Sequence, residues 1–443
     1  MNFTKEEKSW MMYDFANSAQ SVIIVTLLPI FYQTINSANP IVSSYWGYST
    51  SVAMLIIAIL SPILGALGDY EGYKKKILTI FMMLGVTSCL FVSLTPLLDY
   101  NQHLKEISIA IILLYILCQI GFSGANIMYD SLLPDVTTDE RMDKVSIIGF
   151  GLGYIGGSTV PLVIFLILSM FIPMDIALAI VFFIAGIWWF VFSLPILKNV
   201  KQKNYVQKRK KLILDTFLNL AVTFKEIVAN KVMFVFLLAY FFYIDGVNTI
   251  IHMSTIYGST LGIDATQMML ALLLTQILGL PFAILYTKLA EKFGSRAMIR
   301  VGIIVYIFIC IFGYNVKTSA DFWFLAFLIG TSQGGIQALS RSYFGKIIPD
   351  KKRSGEFFGV YDIFGKFSAI MGPMLYAFTS SSYSNYLINE AGLSIDSMTT
   401  EQALEITKQS SPIGVLSVLL IFIIGGVLFT FVLPKYEKKE QNG

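Results

Sequence analysis

Two short stretches place a carboxylate and an amide inside segments that are otherwise apolar. Asp14 and Asn17 lie near the start of the first apolar run, and Asp245 and Asn248 repeat the pattern Asp-x-x-Asn-[Ser/Thr] in the seventh. Residues three apart share a face of a helix, so each copy directs an acid and an amide the same way. Two such faces, one in each half of the chain, predict a polar site in a pseudo-symmetric membrane protein.

Further charged residues also fall within apolar runs. Asp130 ends the fourth run, Arg341 lies near the end of the tenth, and Asp362 and Lys366 are four residues apart in the eleventh. A charge in a membrane span is costly, so by default it faces a cavity and has a partner. The spacing of Asp362 and Lys366 allows them to pair with each other, which favours a structural role for both.

The remaining charges are candidates for binding, gating or coupling. Arg341 and Asp130 could form a cytoplasmic gate, or Arg341 could bind a substrate carboxylate through two parallel hydrogen bonds. Gln337, four residues before Arg341, could line the same cavity. Asp14 is either an acid at the membrane surface or part of the gate or substrate site. Asp245 lies deeper in its run, so we predict that it is the proton-coupling residue if coupling exists.

The composition indicates that these residues sit in a polytopic membrane protein. Of the 443 residues, 56% are hydrophobic and 14% are charged, and the mean hydropathy is +0.70. Soluble domains have about 45–50% apolar and about 25% charged residues. A span needs about 20 apolar residues. We identify twelve such runs, at about 10–33, 44–67, 77–97, 107–128, 145–170, 175–196, 231–256, 264–287, 297–315, 321–342, 357–379 and 412–433.

The basic residues predict the orientation of these runs. Lys and Arg concentrate in alternate loops and at both ends of the chain, and the other loops contain only Lys105, Lys317 and Lys408. The positive-inside rule therefore predicts that both termini are cytoplasmic, and we expect the chain in the plasma (inner) membrane.

The longest basic connection divides the chain into two halves. We predict an N-terminal six-helix half at 1–197, a cytoplasmic linker at 198–230 and a C-terminal six-helix half at 231–443. The linker begins with a basic stretch suited to anionic lipid head groups. It continues with apolar residues at helical spacing, which predicts an amphipathic helix. These residues are Ile213, Phe217, Leu220, Phe224 and Ile227.

Short motifs repeat between the predicted halves. The stretch from Gly65 to Lys75 fits G-x-x-x-D-x-x-G-x-[RK]-[RK], a pattern that marks the loop between the second and third spans in the major facilitator superfamily. A degenerate copy after the eighth run has Glu291 where the first has Asp69. We expect Asp69 to cap or pair with a neighbouring helix end, and the lysines to face lipid head groups. Both acids, Asp69 and Glu291, are predicted to be gate or structural charges.

Two further correspondences support a repeat. A Pro-Asp pair follows both the fourth and the tenth run, at Pro134 and Pro349. A glycine and a proline lie eight residues apart in the fifth run, at 153 and 161, and again in the eleventh, at 365 and 373. Such residues interrupt helix regularity, which suits close packing and the flexing that alternating access requires.

Longer motifs occur in both halves of the chain. They are Tyr13 to Ala19, Tyr129 to Asp135, Gly151 to Gly157, Tyr243 to Ile250, Gln337 to Ser342, Glu356 to Tyr361 and Gly365 to Pro373. Together they resemble one branch of that superfamily, the vacuole-effluxer-like (autophagy-related permease) family. The resemblance covers nearly the whole chain and implies a twelve-helix major facilitator fold with inward-open and outward-open states. Fungal relatives of that family are associated with amino-acid efflux from the vacuole.

The sequence therefore predicts an all-α secondary transporter, not an enzyme. It contains no phosphate-binding glycine loop, no metal-ligand spacing and no nucleophile elbow, so we predict neither a cofactor nor a metal. The expected partners are the lipid bilayer, a small polar solute such as an amino acid, and protons; we predict a monomer without a nucleic-acid partner. The alternatives are an exporter of lipid or hydrophobic compounds, and a non-transporting sensor or scaffold on the same fold.

Overall fold

The computed structural model describes residues 3–36, 42–207, 222–393 and 399–442. These residues are almost entirely helical, which confirms the all-α prediction. They form twelve long helices: α1 (Lys5–Ile35), α2 (Val42–Gly68), α3 (Tyr73–Val92), α4 (Tyr100–Ser131), α5 (Asp139–Phe171), α6 (Met174–Asn199), α7 (Lys231–Thr260), α8 (Ala265–Phe293), α9 (Ser295–Tyr314), α10 (Ser319–Ile347), α11 (Ser354–Glu390) and α12 (Thr400–Val427).

Eleven helices of the described residues are long and apolar enough to cross a membrane. The remaining long helix, α11, has 37 residues but carries Asp362, Lys366 and a serine-rich second half. It nevertheless exceeds the length of about 20 residues that a span needs.

Capping residues explain why two helices begin before the apolar runs that predicted them. α1 starts at Lys5 because the Thr4 hydroxyl accepts the Glu7 backbone N–H, and the Glu7 carboxylate accepts the Thr4 N–H. Thr399 and Gln402 form the same reciprocal arrangement before α12. Each pair satisfies two backbone donors that a helix start leaves free.

The chain divides into two compact units, which are described separately. Unit 1 contains Met1–Glu226 and Arg341–Ile363, and unit 2 contains Ile227–Ser340 and Phe364–Gly443. The end of α10 and the beginning of α11 thus belong to the same unit as α1 to α6. The six-plus-six division with boundaries at 197 and 231 stays a prediction.

In unit 1, α1 packs through large aromatic residues. Trp10 is fully buried, its ring stacks on Tyr129 at 4.3 Å, and its Nε1–H donates to the Tyr129 carbonyl at 2.9 Å. Close approach of α3 and α4 depends on small residues, because a Cβ atom added to Gly121 would lie 2.4 Å from the backbone nitrogen of Gly85. Small residues at such contacts are typical of membrane helices.

The glycine-rich part of α5 forms a π-helical turn, Gly153–Thr159, between two α-helical segments. A Cβ atom added to Gly156 would lie 1.6 Å from the ring of Phe15, so α5 and α1 touch where only glycine fits. The predicted interruption before Pro161 is therefore present. The equivalent stretch of α11, from Gly365 to Pro373, is helical without a break.

Unit 2 has its own aromatic packing. Tyr306 on α9 stacks on Phe422 of α12 at 5.2 Å, and the Tyr243 and Ser340 hydroxyl oxygens lie 2.7 Å apart. A Cβ atom added to Gly425 would lie 2.8 Å from the Tyr243 backbone nitrogen, which brings α12 against α7.

The linker is described in two parts. Residues 200–207 run extended along unit 1, where Tyr70 and Val206 form an isolated β-bridge. Residues 222–229 are helical, as the apolar spacing predicted for Phe224 and Ile227. The other members of the predicted amphipathic face, Ile213, Phe217 and Leu220, lie outside the described residues.

Candidate functional site

Arg341, at the end of α10, lies between two carboxylates of unit 1. Its Nη2 donates to Asp14 Oδ2 on α1 at 3.1 Å, and its Nη1 donates to Asp130 Oδ1 on α4 at 3.0 Å. Its Nε donates to the Ser146 hydroxyl on α5 at 3.0 Å, and Nη2 also reaches the Ser146 carbonyl at 3.2 Å. One guanidinium therefore joins four helices.

The same guanidinium is enclosed by aromatic rings. Its central carbon lies 4.6 Å from the ring centroid of Trp10, 5.3 Å from that of Tyr129 and 4.4 Å from that of Phe150. Cation–π contacts stabilise a cation that has lost water, and Arg341 is only 4% exposed. We call Arg341, Asp14, Asp130 and Ser146 the arginine cluster.

The sequence predicted the charges of this cluster but not its neutral members. Asp14, Asp130 and Arg341 were singled out because each lies in an apolar run. Ser146 and the ring of Phe150 were missed, since serine and phenylalanine are ordinary residues in a membrane helix. Gly149 also lies beside the cluster, since an added Cβ atom would lie 2.7 Å from Asp14 Oδ2, but only the structure shows this closeness.

A column of amides continues from the arginine cluster along α1 and α4. Asn17 Nδ2 donates to Asn126 Oδ1 at 2.7 Å, and Gln20 Nε2 donates to Gln119 Oε1 at 3.2 Å. Asp14, Asn17 and Gln20 follow one another at intervals of three residues, so they share one face of α1. Asn17 is 5% exposed and Gln20 is fully buried, so this polar face is turned into unit 1.

Asp69, in the loop between α2 and α3, caps the beginning of α11. Its Oδ1 accepts the Gly355 N–H at 2.7 Å, and its Oδ2 accepts the Glu356 N–H at 2.8 Å. A Cβ atom added to Gly65 would lie 2.2 Å from the Gly355 carbonyl oxygen, so the backbones of α2 and α11 are in contact here. The predicted capping role of Asp69 matches these hydrogen bonds to a helix start.

Lys74 was expected to face lipid head groups, and that expectation is wrong. Its side chain is fully buried, and its Nζ donates to Asp135 Oδ2 at 2.9 Å, to the Ser354 hydroxyl at 2.7 Å and to the Ser131 carbonyl at 3.0 Å. The ion pair removes the penalty that a solitary buried cation would carry. Lys74 thus joins α3 to the end of α4 and to the start of α11.

Asp135 also holds the start of the linker. Its Oδ1 accepts three hydrogen bonds, from the Lys203 N–H at 2.9 Å, the Asn204 N–H at 2.6 Å and the Asn204 side-chain amide at 2.9 Å. The Val206 N–H donates to the Asp69 carbonyl at 2.8 Å. The Pro-Asp motif after α4 therefore positions both a buried lysine and an extended segment of the linker.

Three further ion pairs tie residues 341–363 to the rest of unit 1. Lys346 Nζ pairs with Asp143 at 2.5 Å, Lys351 Nζ with Asp139 at 3.2 Å and Arg353 Nη1 with Glu226 at 2.6 Å. All three are partly exposed, so each contributes less than the buried pairs.

In unit 2, Asp245 accepts a backbone hydrogen bond and forms no ion pair with any residue that the structure describes. Its Oδ1 receives the Gly372 N–H of α11 at 2.8 Å, and the residue is fully buried. Asn248 and Gln337 are half-buried, on α7 and α10. Within the described residues, Asp14 and Asp245 therefore differ: the first faces a guanidinium, and the second faces backbone.

The other charged residues that the sequence predicted, Glu291, Asp362 and Lys366, are not members of the arginine cluster. Glu291, the counterpart of Asp69 in the second motif copy, is exposed rather than buried. Asp362 Oδ2 accepts the Ser61 hydroxyl at 2.7 Å. Lys366 is half-buried one turn later, and the ion pairs found among the described residues do not join it to Asp362.

Asp69 lies outside the membrane-spanning segments, and its carboxyl predicts a pH dependence of folding stability that can be tested. Burial raises the pKa of its carboxyl from 3.8 to about 7, with Glu356 acting in the same direction and Lys74 and the two N–H donors opposing it. The folded state therefore takes up a proton more readily than the unfolded chain. The stabilisation that the protonated Asp69 carboxyl contributes is complete below a pH of about 4, and it is lost as the pH rises through about 7.

We therefore expect the Tm of the wild type to fall relative to the Tm of Asp69→Asn as the pH rises. The difference in Tm, wild type minus variant, should fall between pH 5 and pH 8. Glu71→Gln, an exposed acid two residues away, is the matched control and should leave the pH profile of the wild type unchanged. A difference in Tm that is flat or grows with pH would contradict the burial of a protonated Asp69.

Comparisons with known proteins agree with this architecture. A sequence model of the family described as "Vacuole effluxer Atg22 like" matches residues 38–389. The "Uncharacterized MFS-type transporter YxiO" of Bacillus subtilis (strain 168) is 42% identical over 97% of this chain and 95% of its own length. "Autophagy-related protein 22" of Saccharomyces cerevisiae (strain ATCC 204508 / S288c) is 26% identical over 75% of this chain and 72% of its own.

Solved structures establish the fold. The proton:xylose symporter XylE has a TM-score of 0.66 at 11% identity and covers 95% of this chain and 94% of its own. The human organic anion transporter MFSD10 has a TM-score of 0.65 at 10% identity, and the match covers 96% of this chain and 99% of the MFSD10 chain. At these sequence identities, the structural similarity is evidence for the fold alone.

Fold and relatives together define a transporter of the major facilitator superfamily, a multi-pass integral membrane protein built on the twelve-helix fold. Within that superfamily, the chain belongs to the vacuole effluxer Atg22-like family. The prediction that it is not an enzyme is confirmed by the class of its relatives and neighbours, which are membrane transporters.

Proposed function

We propose that this transporter moves a small polar solute by alternating access, and that the arginine cluster is a gate. The observation that carries the proposal is the set of hydrogen bonds from Arg341 on α10 to Asp14, Asp130 and Ser146 on α1, α4 and α5. A pathway that opens between α10 and these helices must break all of them. Buried charges in membrane spans mark such pathways by default.

The chemistry of the cluster favours a solute that carries both charges. An amino acid presents a carboxylate that can replace Asp14 on the guanidinium, and an ammonium group that can replace the guanidinium on the carboxylate. Exchange of this kind keeps both buried charges paired throughout. The basic loops favour cytoplasmic termini and a plasma-membrane location.

Asp69, Lys74 and Asp135 serve this gate as supporting contacts in the proposal. Asp69 accepts the N–H groups of Gly355 and Glu356, and Lys74 donates to the Ser354 hydroxyl, so both hold the start of α11. Asp135 acts through its buried ion pair with Lys74. Release of α11 on the same side would require these contacts to part together with the arginine cluster.

Coupling is assigned to Asp245, the buried acid of α7. In proteoliposomes, Asp245→Asn should abolish solute accumulation driven by a pH gradient while exchange of labelled for unlabelled solute continues. Exchange needs no net ion movement, so a folded variant retains it. Asp264→Asn, an exposed acid of unit 2, is the matched control. Unchanged pH-driven accumulation by Asp245→Asn would remove Asp245 from coupling.

A thermal-shift screen of the purified protein identifies the solute. A ligand that binds only the folded state raises the Tm by mass action, by an amount equivalent to about 2.7 kcal/mol at 100 times its Kd. Purified protein screened against amino acids and related zwitterions should respond to at least one of them, and Arg341→Lys should reduce that response. A screen in which only apolar compounds raise the Tm would replace the proposal with export of hydrophobic molecules.

A further inference from the structure

Asp245 has a carboxylate oxygen that nothing in the described residues satisfies. The residue is fully buried, Oδ1 accepts the Gly372 N–H, and Oδ2 has no hydrogen-bond partner. Leaving a charged oxygen buried without a partner is strongly unfavourable, because the ion has lost its hydration. The free oxygen therefore indicates a positively charged occupant.

A second unsatisfied oxygen lies beside it. Thr249, one turn further along α7, is 1% exposed; its hydroxyl lies close enough to the Asp245 carboxyl to interact with it, but makes no hydrogen bond of standard geometry. Both side chains face the same point of α11, since a Cβ atom added to Gly372 would lie 1.9 Å from Thr249 Oγ1 and 2.7 Å from Asp245 Oδ1. An acid and a hydroxyl thus converge on one glycine.

The following residue, Pro373, has no N–H and so donates no hydrogen bond to the helix turn before it. A carboxylate and a hydroxyl are hard oxygen ligands of the kind that alkali and alkaline-earth cations take. A proton alone requires only the carboxylate.

The repeated motif indicates the charge of the occupant. Asp14 occupies the equivalent position in the first Asp-x-x-Asn motif, and there the Arg341 guanidinium balances it. Asp245 has no ion pair with a side chain of the described residues. One carboxylate is neutralised by one positive charge, and no group of three or more His, Cys, Asp or Glu suited to a divalent metal occurs in that part of the chain.

We propose that Asp245 and Thr249 form a binding site for a monovalent cation of the size of Na⁺, which competes there with a proton. The close approach of α11 at Gly372 favours the small ion over K⁺. The binding of this cation is argued from geometry alone, whereas a role for the cation as the coupling ion rests on the proposed transport function.

The test measures Tm of the purified full-length protein in NaCl, KCl and choline chloride at equal ionic strength. NaCl should raise the Tm over choline chloride, and KCl should raise it less. Acidification should increase the Na⁺ concentration at half-effect by up to about tenfold per pH unit, because the proton occupies the same carboxylate. Asp245→Asn and Thr249→Val should lose the response, whereas Thr249→Ser and the exposed-acid control Asp264→Asn should retain it.

Each other outcome overturns the proposal. Equal shifts in Na⁺ and choline, or a Na⁺ response that survives in Asp245→Asn, exclude this site. Equal shifts in Na⁺ and K⁺ exclude the size selectivity. Thr249→Val keeps the shape of threonine and removes only the hydroxyl, and Thr249→Ser keeps the hydroxyl, so their comparison holds even if Asp245→Asn folds poorly. A pH-driven solute flux without any Na⁺ response defeats the cation site alone, whereas a Na⁺ response without any solute flux defeats only the transport proposal.

Discussion

Arg341→Met is expected to destabilise unit 1 by about 3–5 kcal/mol, the range found when one partner of a buried ion pair is removed. The substitution keeps an unbranched, flexible side chain but removes the guanidinium, and so leaves Asp14 without its partner. Asp14 is 6% exposed, so water cannot replace the lost partner freely. A markedly lower Tm in detergent is the measurement.

A charge-balanced variant provides the control. Arg341→Met combined with Asp14→Asn and Asp130→Asn removes all three charges, and therefore avoids the uncompensated buried charges that the single variant leaves. We expect this triple variant to recover most of the lost Tm but none of the transport. If it is as unstable as the single variant, the loss comes from packing against Trp10 and Phe150 rather than from the unpaired acids.

Arg341→Lys separates geometry from charge. A lysine ammonium is a single point charge, whereas the guanidinium reaches Asp14, Asp130 and Ser146 with different nitrogen atoms. Its Tm should fall between those of wild type and Arg341→Met. Full retention of both Tm and transport would show that one ion pair suffices and that the forked geometry is dispensable.

Lys74→Met is expected to have the second large effect, towards the lower end of about 3–5 kcal/mol. It leaves the Asp135 carboxylate fully buried, although three N–H groups from Lys203 and Asn204 still bond to its other oxygen. Those remaining donors are the reason for the smaller value. The Tm in detergent measures the loss.

Limited proteolysis gives an independent readout for Lys74→Met. Lys201 and Lys203 are trypsin sites in the extended segment that Asp135 holds, so a weakened Asp135 should accelerate cleavage there. Lys76→Met, an exposed lysine on the same helix, should change neither the cleavage rate nor the stability by more than about 0.5 kcal/mol. Wild-type cleavage and Tm in Lys74→Met would mean that the buried pair contributes nothing.

Hydropathy and charge were enough to find the helices and the acids of the arginine cluster. Every long helix coincides with an apolar run, because lipid requires spans to be apolar and internally hydrogen-bonded. Asp14, Asp130 and Arg341 stood out because charges are rare in such runs.

What could not be predicted depends on tertiary contacts that carry no local signal. Lys74 and Lys76 look alike in sequence, yet the first is fully buried and the second is exposed, since only Lys74 meets Asp135. Asp69 and Glu291 occupy matching motif positions, yet only Asp69 is buried against a helix start. A motif fixes which residue type is present, whereas its partner is supplied by a distant part of the chain.

The π-helical turn Gly153–Thr159 changes how residues beyond it are counted. Such a turn corresponds to one extra residue inserted into an α-helix. One residue of an α-helix corresponds to a rotation of about 100°. Helical faces counted forward from Asp139 are therefore displaced by that angle for Val160–Phe171. A lipid-facing or protein-facing assignment in this segment has to be counted from Val160, and an assignment continued from Gly149 selects the wrong residues.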